Sequence, residues 1–270
     1  MCGFFYFDEC AIGLALPELY QVKIKNLFFS HCLYGRNIVL MANKISIIIP
    51  TYNEAASIGK LIAYLQLHGA DNIAEIIISD AGSADETLAI AEKSGAIALL
   101  SPQHGRAAQM NYGAGKANGN IFYFVHADSF PPQNFAADII KAVNSGFSFG
   151  RYKTRFNSSS FLLKINAWVT RFNWFMCYGG DQTLFVSKAL FKKSGGFKNE
   201  LLIMEEYEFC DRLMKHNKYK IFADTALVSA RKYEGRSWLQ VQLANRKAVK
   251  LFKNGETQEE ILKTYKKMLG

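Results

Sequence analysis

The sequence predicts an α/β protein built on a Rossmann-like, mostly parallel sheet flanked by helices. Three observations carry that expectation. Short apolar runs alternate with helical stripes from Lys44 to Val125. Polar residues follow directly on three of the four apolar runs. The chain has 270 residues, half of them hydrophobic, which is enough for one substantial core. A β-α-β-α-β-α-β order implies parallel strands joined by right-handed crossovers.

Lys44–Pro50 (KISIIIP) reads as a buried parallel strand. Glu54–Leu67 follows, its apolar positions Ile58, Leu61, Ile62 and Leu65 falling on one helical stripe. Glu75–Ser79 is a second strand. Ser83 and Asp85 are cap candidates for a helix over Glu86–Lys93. Ala96–Leu100 is a third strand, Arg106–Lys116 a helix of small residues, and Ile121–Val125 a fourth strand. Beyond these, Phe147–Phe156 predicts a strand and Phe161–Phe172 a helix. Thr183–Ser187 predicts a strand leading into a helix, Glu206–Lys215 a helix, and Tyr219–Tyr233 one or two strands. Basic helices over Trp238–Phe252 and Gln258–Leu269 close the chain.

Residues 1–40 differ from the rest. They are rich in aromatics and cysteine without a clear period, and Asp8, Glu9 and Glu18 precede the first basic residue, Lys23, unlike a secretory signal. MANKISIIIP at Met41 opens as α/β domains do. The expected organisation is a non-native or poorly ordered extension over 1–40, with a short peripheral membrane anchor as the rival reading, and a single domain over 41–270. The five cysteines form no CxxC pair, which suits a reducing, cytoplasmic compartment. The net charge of +9 favours anionic partners: nucleotide phosphates, an acidic membrane surface or nucleic acid.

In sheets of this kind ligands sit at the carboxyl ends of the strands. There the sequence places Pro50-Thr51-Tyr52-Asn53-Glu54, then Asp80-Ala81-Gly82-Ser83-Ala84-Asp85, then His126-Ala127-Asp128. Each could cap a helix or start a turn. Capping does not call for an acid at both Asp80 and Asp128.

The segments IIIPTYNEAASIGKLI, IIISDAGSADETLAIAE and GRAAQMNYGAGKANGNIFYFVHADS, followed by GGDQTLFV and MEEYEFCDRL, resemble in order the motifs of the inverting glycosyltransferase family two, of GT-A fold. The similarity covers nearly all of Lys44–Tyr233 and is nearest to a branch of small soluble bacterial enzymes. It implies transfer of a sugar from a nucleotide-diphosphate donor, UDP-linked by preference, to an acceptor hydroxyl. On that resemblance Pro50, Thr51, Tyr52, Glu54, Asp80, Gly82, Arg106 and Asp128 form the donor site. Asp80 would accept the imide N–H of uracil, Tyr52 would stack on the base and Arg106 would reach the diphosphate. Asp128 falls on the last acid of the family's DXD motif and would hold a divalent cation, Mn2+ or Mg2+. The first acid of that motif is replaced here by His126, an exchange manganese tolerates better than magnesium. Glu205-Glu206 aligns with an acidic pair at a helix start, Glu206 being the candidate general base. Gly180 and Asp181 would line the acceptor side. Arg231 and Lys232 are candidate phosphate ligands, in the donor or in a lipid-linked acceptor; the aromatic stripe Phe161–Phe172 reads first as core, with Trp168, Trp174, Phe175 and Met176 as a candidate apolar acceptor groove. Partners implied are a nucleotide sugar and a small-molecule, lipid or glycan acceptor, with a peripheral contact to the inner face of the plasma membrane as a further option.

Two other classes compete with this reading. A sugar-nucleotide nucleotidyltransferase shares a related sheet but opens with a glycine-rich basic loop, which PTYNEAAS lacks. A non-catalytic nucleic-acid-binding protein would show a basic stripe with interleaved aromatics, whereas the basic residues here are scattered.

Overall fold

The computed structural model describes residues 43–178 and 183–270. Gly180, Asp181 and the expected extension over 1–40 therefore lie outside the described residues.

The first half follows the predicted alternation. β1 (Ile45–Thr51), α1 (Ala55–Gly69), β2 (Ile73–Asp80), α2 (Thr87–Lys93), β3 (Ile97–Leu100), α3 (Arg106–Lys116) and β4 (Ile121–Phe124) succeed one another. β1 pairs in parallel with β2 and β4, and β2 in parallel with β3. Every residue of β1 is buried, as a strand covered on both faces must be. Its side chains alternate between two cores. Ile47 and Ile49 pack with Ile58, Leu61 and Ile62 of α1; Ile48 packs with Met110 and Ala114 of α3.

The second half is mixed. It comprises β5 (Ser129–Phe130), α4 (Phe135–Asn144), β6 (Phe149–Phe156), α5 (Phe161–Val169), β7 (Leu184–Ser187), α6 (Lys188–Ser194), α7 (Glu205–Met214), β8 (Tyr219–Val228), α8 (Trp238–Lys253) and α9 (Gln258–Leu269). The sheet has eight strands in the order β3-β2-β1-β4-β7-β6-β8-β5. β7 runs antiparallel to both of its neighbours. β4 and β5 stand four places apart in that order, yet only Val125–Asp128 separates them, in a turn closed by Ser129 N–H on the His126 carbonyl (3.0 Å). A tight turn cannot cross four strand spacings of about 4.8 Å each on a flat sheet. The sheet curls, and β5 draws the end of β8 towards the end of β4.

Of the two expected caps, Ser83 does other work, and Asp85 serves the starts of two helices. Ser83 donates to Asp80 and accepts from the Asn53 N–H (2.7 Å). Asp85 accepts the Thr87 N–H of α2 (3.0 Å) but also the Ala55 N–H at the start of α1 (3.1 Å), and Thr87 Oγ1 accepts the Glu54 N–H (2.8 Å). The N–H groups of Glu54 and Ala55, at the start of α1, are thus satisfied by Thr87 and Asp85. Among the described residues no helix is long and apolar enough to cross a membrane.

Candidate active site

The loops after β1 and β2 are bound into one unit by Asp80. Its buried carboxylate accepts Thr51 Oγ1 (2.7 Å), Ser83 Oγ (2.6 Å) and the N–H groups of Gly82 (2.9 Å) and Ser83 (2.7 Å). A carboxylate offers about four acceptor sites, and all are used. The expected direct contact of Asp80 with a nucleobase therefore requires one of these donors, most simply the Ser83 hydroxyl, to swing away. Asn53 takes a left-handed φ of 54° and accepts the Ala84 N–H (2.9 Å), a conformation asparagine tolerates. Gly82 (φ 84°) turns the second loop back over the first. Gln109 of α3 was not singled out by sequence reasoning. Its buried amide donates to the carbonyls of Thr51 and Ser79, 2.7 Å each, fixing the ends of β1 and β2. Tyr52 stands 60% exposed on the rim, free to stack.

The acidic pair opens α7, where a helix favours negative charge. The preceding Met204 is left-handed (φ 71°) and buried, so the chain turns sharply into the helix. Both carboxylates turn inward. Glu206 Oε1 lies 3.2 Å from His126 Nε2, at the turn after β4 that carries Asp128. Glu205 Oε1 lies 3.0 Å from Arg106 Nε. Burial pushes the Glu205 carboxyl up, over the opposing pull of Arg106, and Glu206 adds to the push. For His126, burial works downward, but the adjoining Glu206 and then Asp128 carry the imidazole above its ordinary value. His126 is thus a partner of the candidate base as well as the residue in the place of an acid. The sequence marked its position but not that contact.

Arg231 lies in the turn just after β8, which the curl brings over the first loops. Its guanidinium reaches Glu54 through Nη1 (3.0 Å) and Nη2, and Asp128 Oδ2 through Nε (3.1 Å). The expected phosphate ligand thus bridges two acids expected in the donor site, Glu54 and Asp128. Lys232 Nζ donates to Asn245 Oδ1 (3.2 Å). It stands with Arg106, Glu205, Glu206, Tyr207 and Tyr265 around a cleft of about 320 Å³. A second cavity of about 370 Å³, between α5 and α8, shares Tyr207 and Lys232 with that cleft and is lined by Ile165, Val169, Met176 and Trp238.

Among the described residues no group of three or more His, Cys, Asp or Glu is arranged to hold a metal ion. The residues nevertheless suit a hard cation that arrives with phosphate, because magnesium and manganese sites commonly use one or two carboxylates, substrate phosphates and water. Asp128, a quarter exposed, is such a carboxylate. His126 faces Glu206 instead.

A parallel β3-β2-β1-β4 half with polar strand ends, joined to a curled mixed half that brings an acidic helix start to them, defines a sugar transferase of GT-A fold. Residues 46–194 match the model of glycosyl transferase family 2, and the chain belongs to that family. No curated protein matches the sequence. Staphylococcus aureus TarS 1–349 in complex with UDP-GlcNAc superposes with a TM-score of 0.55 at 22% identity, covering 70% of this chain and 59% of that one. This chain thus spans less than two thirds of that fragment. Glucosyl-3-phosphoglycerate synthase from Mycobacterium tuberculosis, in complex with Mn2+, UDP and glucosyl-3-phosphoglycerate, gives 0.54 at 16% identity over 82% of this chain and 85% of that one. Mannosyltransferase PcManGT from Pyrobaculum calidifontis, with GDP-Man and Mn2+, gives 0.59 at 15% over 92% and 78%. At these identities the likeness concerns the fold.

Proposed function

We propose that the chain transfers a sugar from a nucleotide-diphosphate donor, UDP-linked, to an acceptor hydroxyl with inversion, and that Glu206 is the general base. The observation that carries this reading is the meeting of Glu206 with His126 at the end of β4, two residues from Asp128. It puts a proton acceptor beside the strand ends where a donor binds. The nucleotide lies over Tyr52 and the loops bound together by Asp80. Arg106, with its side chain 39% exposed, meets the diphosphate from the start of α3. The Glu206 carboxylate takes the acceptor's proton as its oxygen attacks the anomeric carbon from the face opposite the diphosphate. The carbon–oxygen bond to the diphosphate breaks, and the nucleoside diphosphate leaves with the electron pair. A Mn2+ or Mg2+ ion on Asp128 would, when bound, neutralise the leaving diphosphate.

The acceptor enters from the cleft between α7 and the C-terminal helices. The apolar cavity beside it, with exposed Trp168 and Trp174 nearby, suits an acceptor with an apolar portion, such as a lipid presented at a membrane surface. A panel of nucleotide sugars tested by thermal shift, with and without Mn2+, checks the donor. A UDP-sugar at 100 times its Kd should add about 2.7 kcal/mol of stability. The anomeric configuration of the product, read by NMR, then checks inversion. No stabilisation by any nucleotide sugar, in either condition, would overturn the reading.

A further inference from the structure

We propose that Arg231 stands in for a divalent cation on Asp128 while the donor is absent, and yields that carboxylate when a cation arrives with the diphosphate. This deepens the donor-site reading above and rests on it. Arg231 Nε and a metal ion would compete for the same carboxylate: Nε lies 3.1 Å from Asp128 Oδ2, and the place of the motif's other acid is taken by His126, which faces Glu206. A guanidinium and a metal ion on one carboxylate repel each other, so the two contacts compete. The charges call for the exchange. Glu54 and Asp128 share one guanidinium, which leaves a surplus negative charge where a diphosphate must lie. Positive charge has to arrive with the donor. The geometry permits the exchange because Arg231 is half exposed and Asp128 a quarter exposed, and ion pairs open to water are weak and change partners readily. Glu54 is the tether. Its carboxylate takes both terminal nitrogens in a fork, so releasing Asp128 frees Nε and keeps the guanidinium in the site, turned towards phosphate.

The test titrates Mn2+ alone into the full chain and follows free Mn2+ by electron paramagnetic resonance. Arg231→Met should bind Mn2+ about tenfold more tightly than the parent, and Arg231→Lys, which keeps the charge but loses the fork, should fall between them. The gain should vanish in the Arg231→Met, Asp128→Asn double variant. With saturating UDP the difference between parent and Arg231→Met should shrink, since the parent has then released Asp128. Thermal melts confirm that each variant is folded. A change below about threefold in Arg231→Met, or a gain that survives Asp128→Asn, overturns the exchange. If UDP binds normally without any such gain, the exchange falls alone. If the gain appears but UDP and GDP neither bind nor alter Mn2+ affinity, the donor reading falls and the Arg231–cation competition stands.

Discussion

Glu205 and Glu206 are neighbours in sequence, but their surroundings separate their roles. Glu206 faces an imidazole at the strand ends, and Glu205 faces a guanidinium whose outer part reaches solvent. Glu206→Gln keeps the volume and removes the proton acceptor, so kcat should fall by about 100-fold or more with little change in donor affinity. Glu206→Asp, which keeps the carboxylate one methylene shorter, should retain most of the activity, and Glu205→Gln should lose less than Glu206→Gln. Steady-state kinetics with a fixed donor checks the order; a dead Glu205→Gln beside a normal Glu206→Gln would move the base by one residue. Stability should respond in the opposite sense. The Glu205 carboxyl is raised by burial, so the folded state holds its proton more tightly than the unfolded chain does. Its contribution is therefore fully present below the unfolded value near 4.3 and is lost as pH rises through the folded value. At pH 7.5, above the unfolded value, that contribution is diminished, and Arg106, 39% exposed, can fall back on water. Glu205→Gln should melt higher than the parent at pH 7.5, about 2–4 °C for each kcal/mol gained, with the advantage fading towards pH 4. A lower midpoint at pH 7.5 would show that the Arg106 pair outweighs the burial cost.

At the level of elements, α3 does most to position the proposed donor side. It carries Arg106 at its start and Gln109 in its second turn, and it lies directly on β1 and β2. That approach depends on Gly113, where an added Cβ would sit 2.7 Å from Ile48 Cγ2 and 3.6 Å from Ser79 Cβ. Ile48 is fully buried and β-branched, so it cannot step aside cheaply. Gly113→Ala should cost about 1–3 kcal/mol in urea denaturation, despite alanine's better helix propensity; a stabilised variant would show that α3 is free to lift. α3 was legible in the sequence because its small residues and its place between two strands agree. α4 was also written there, in Phe135, Ile139 and Ala142, which share one buried face, but it followed directly on a proline-rich turn and was not read. β5 could not be read, because two residues make a strand only through their pairing with β8. Nor could the antiparallel direction of β7, since apolar pattern carries no direction. Those two features bring Arg231 to Asp128 and close the curl. The motifs therefore pointed to residues that the fold gathers near the strand ends, while the ion pairs joining them depended on tertiary pairing.

Across the molecule, one sheet runs through both halves, with β4 and β7 as its seam. Among the described residues the core begins at Ile45, and the buried residues of β1, α1, β4 and β6 pack with one another. Burial on this scale makes folding of the region cooperative, since neither half can bury its seam strand alone. We propose that residues 41–270 are a complete folding and binding unit. A chain beginning at Met41 should then unfold in a single transition, with its midpoint within about 2 °C of the full-length chain, which corresponds to less than about 1 kcal/mol. It should also keep the full thermal response to a UDP-sugar, because that response reflects only donor affinity for the native site. Parallel melts of the two chains, each with and without the sugar nucleotide, separate the possibilities. An unchanged midpoint with a lost response would assign the first forty residues to donor binding. A lowered midpoint with an intact response would assign them to the core, and either result would sink the proposed boundary at Met41.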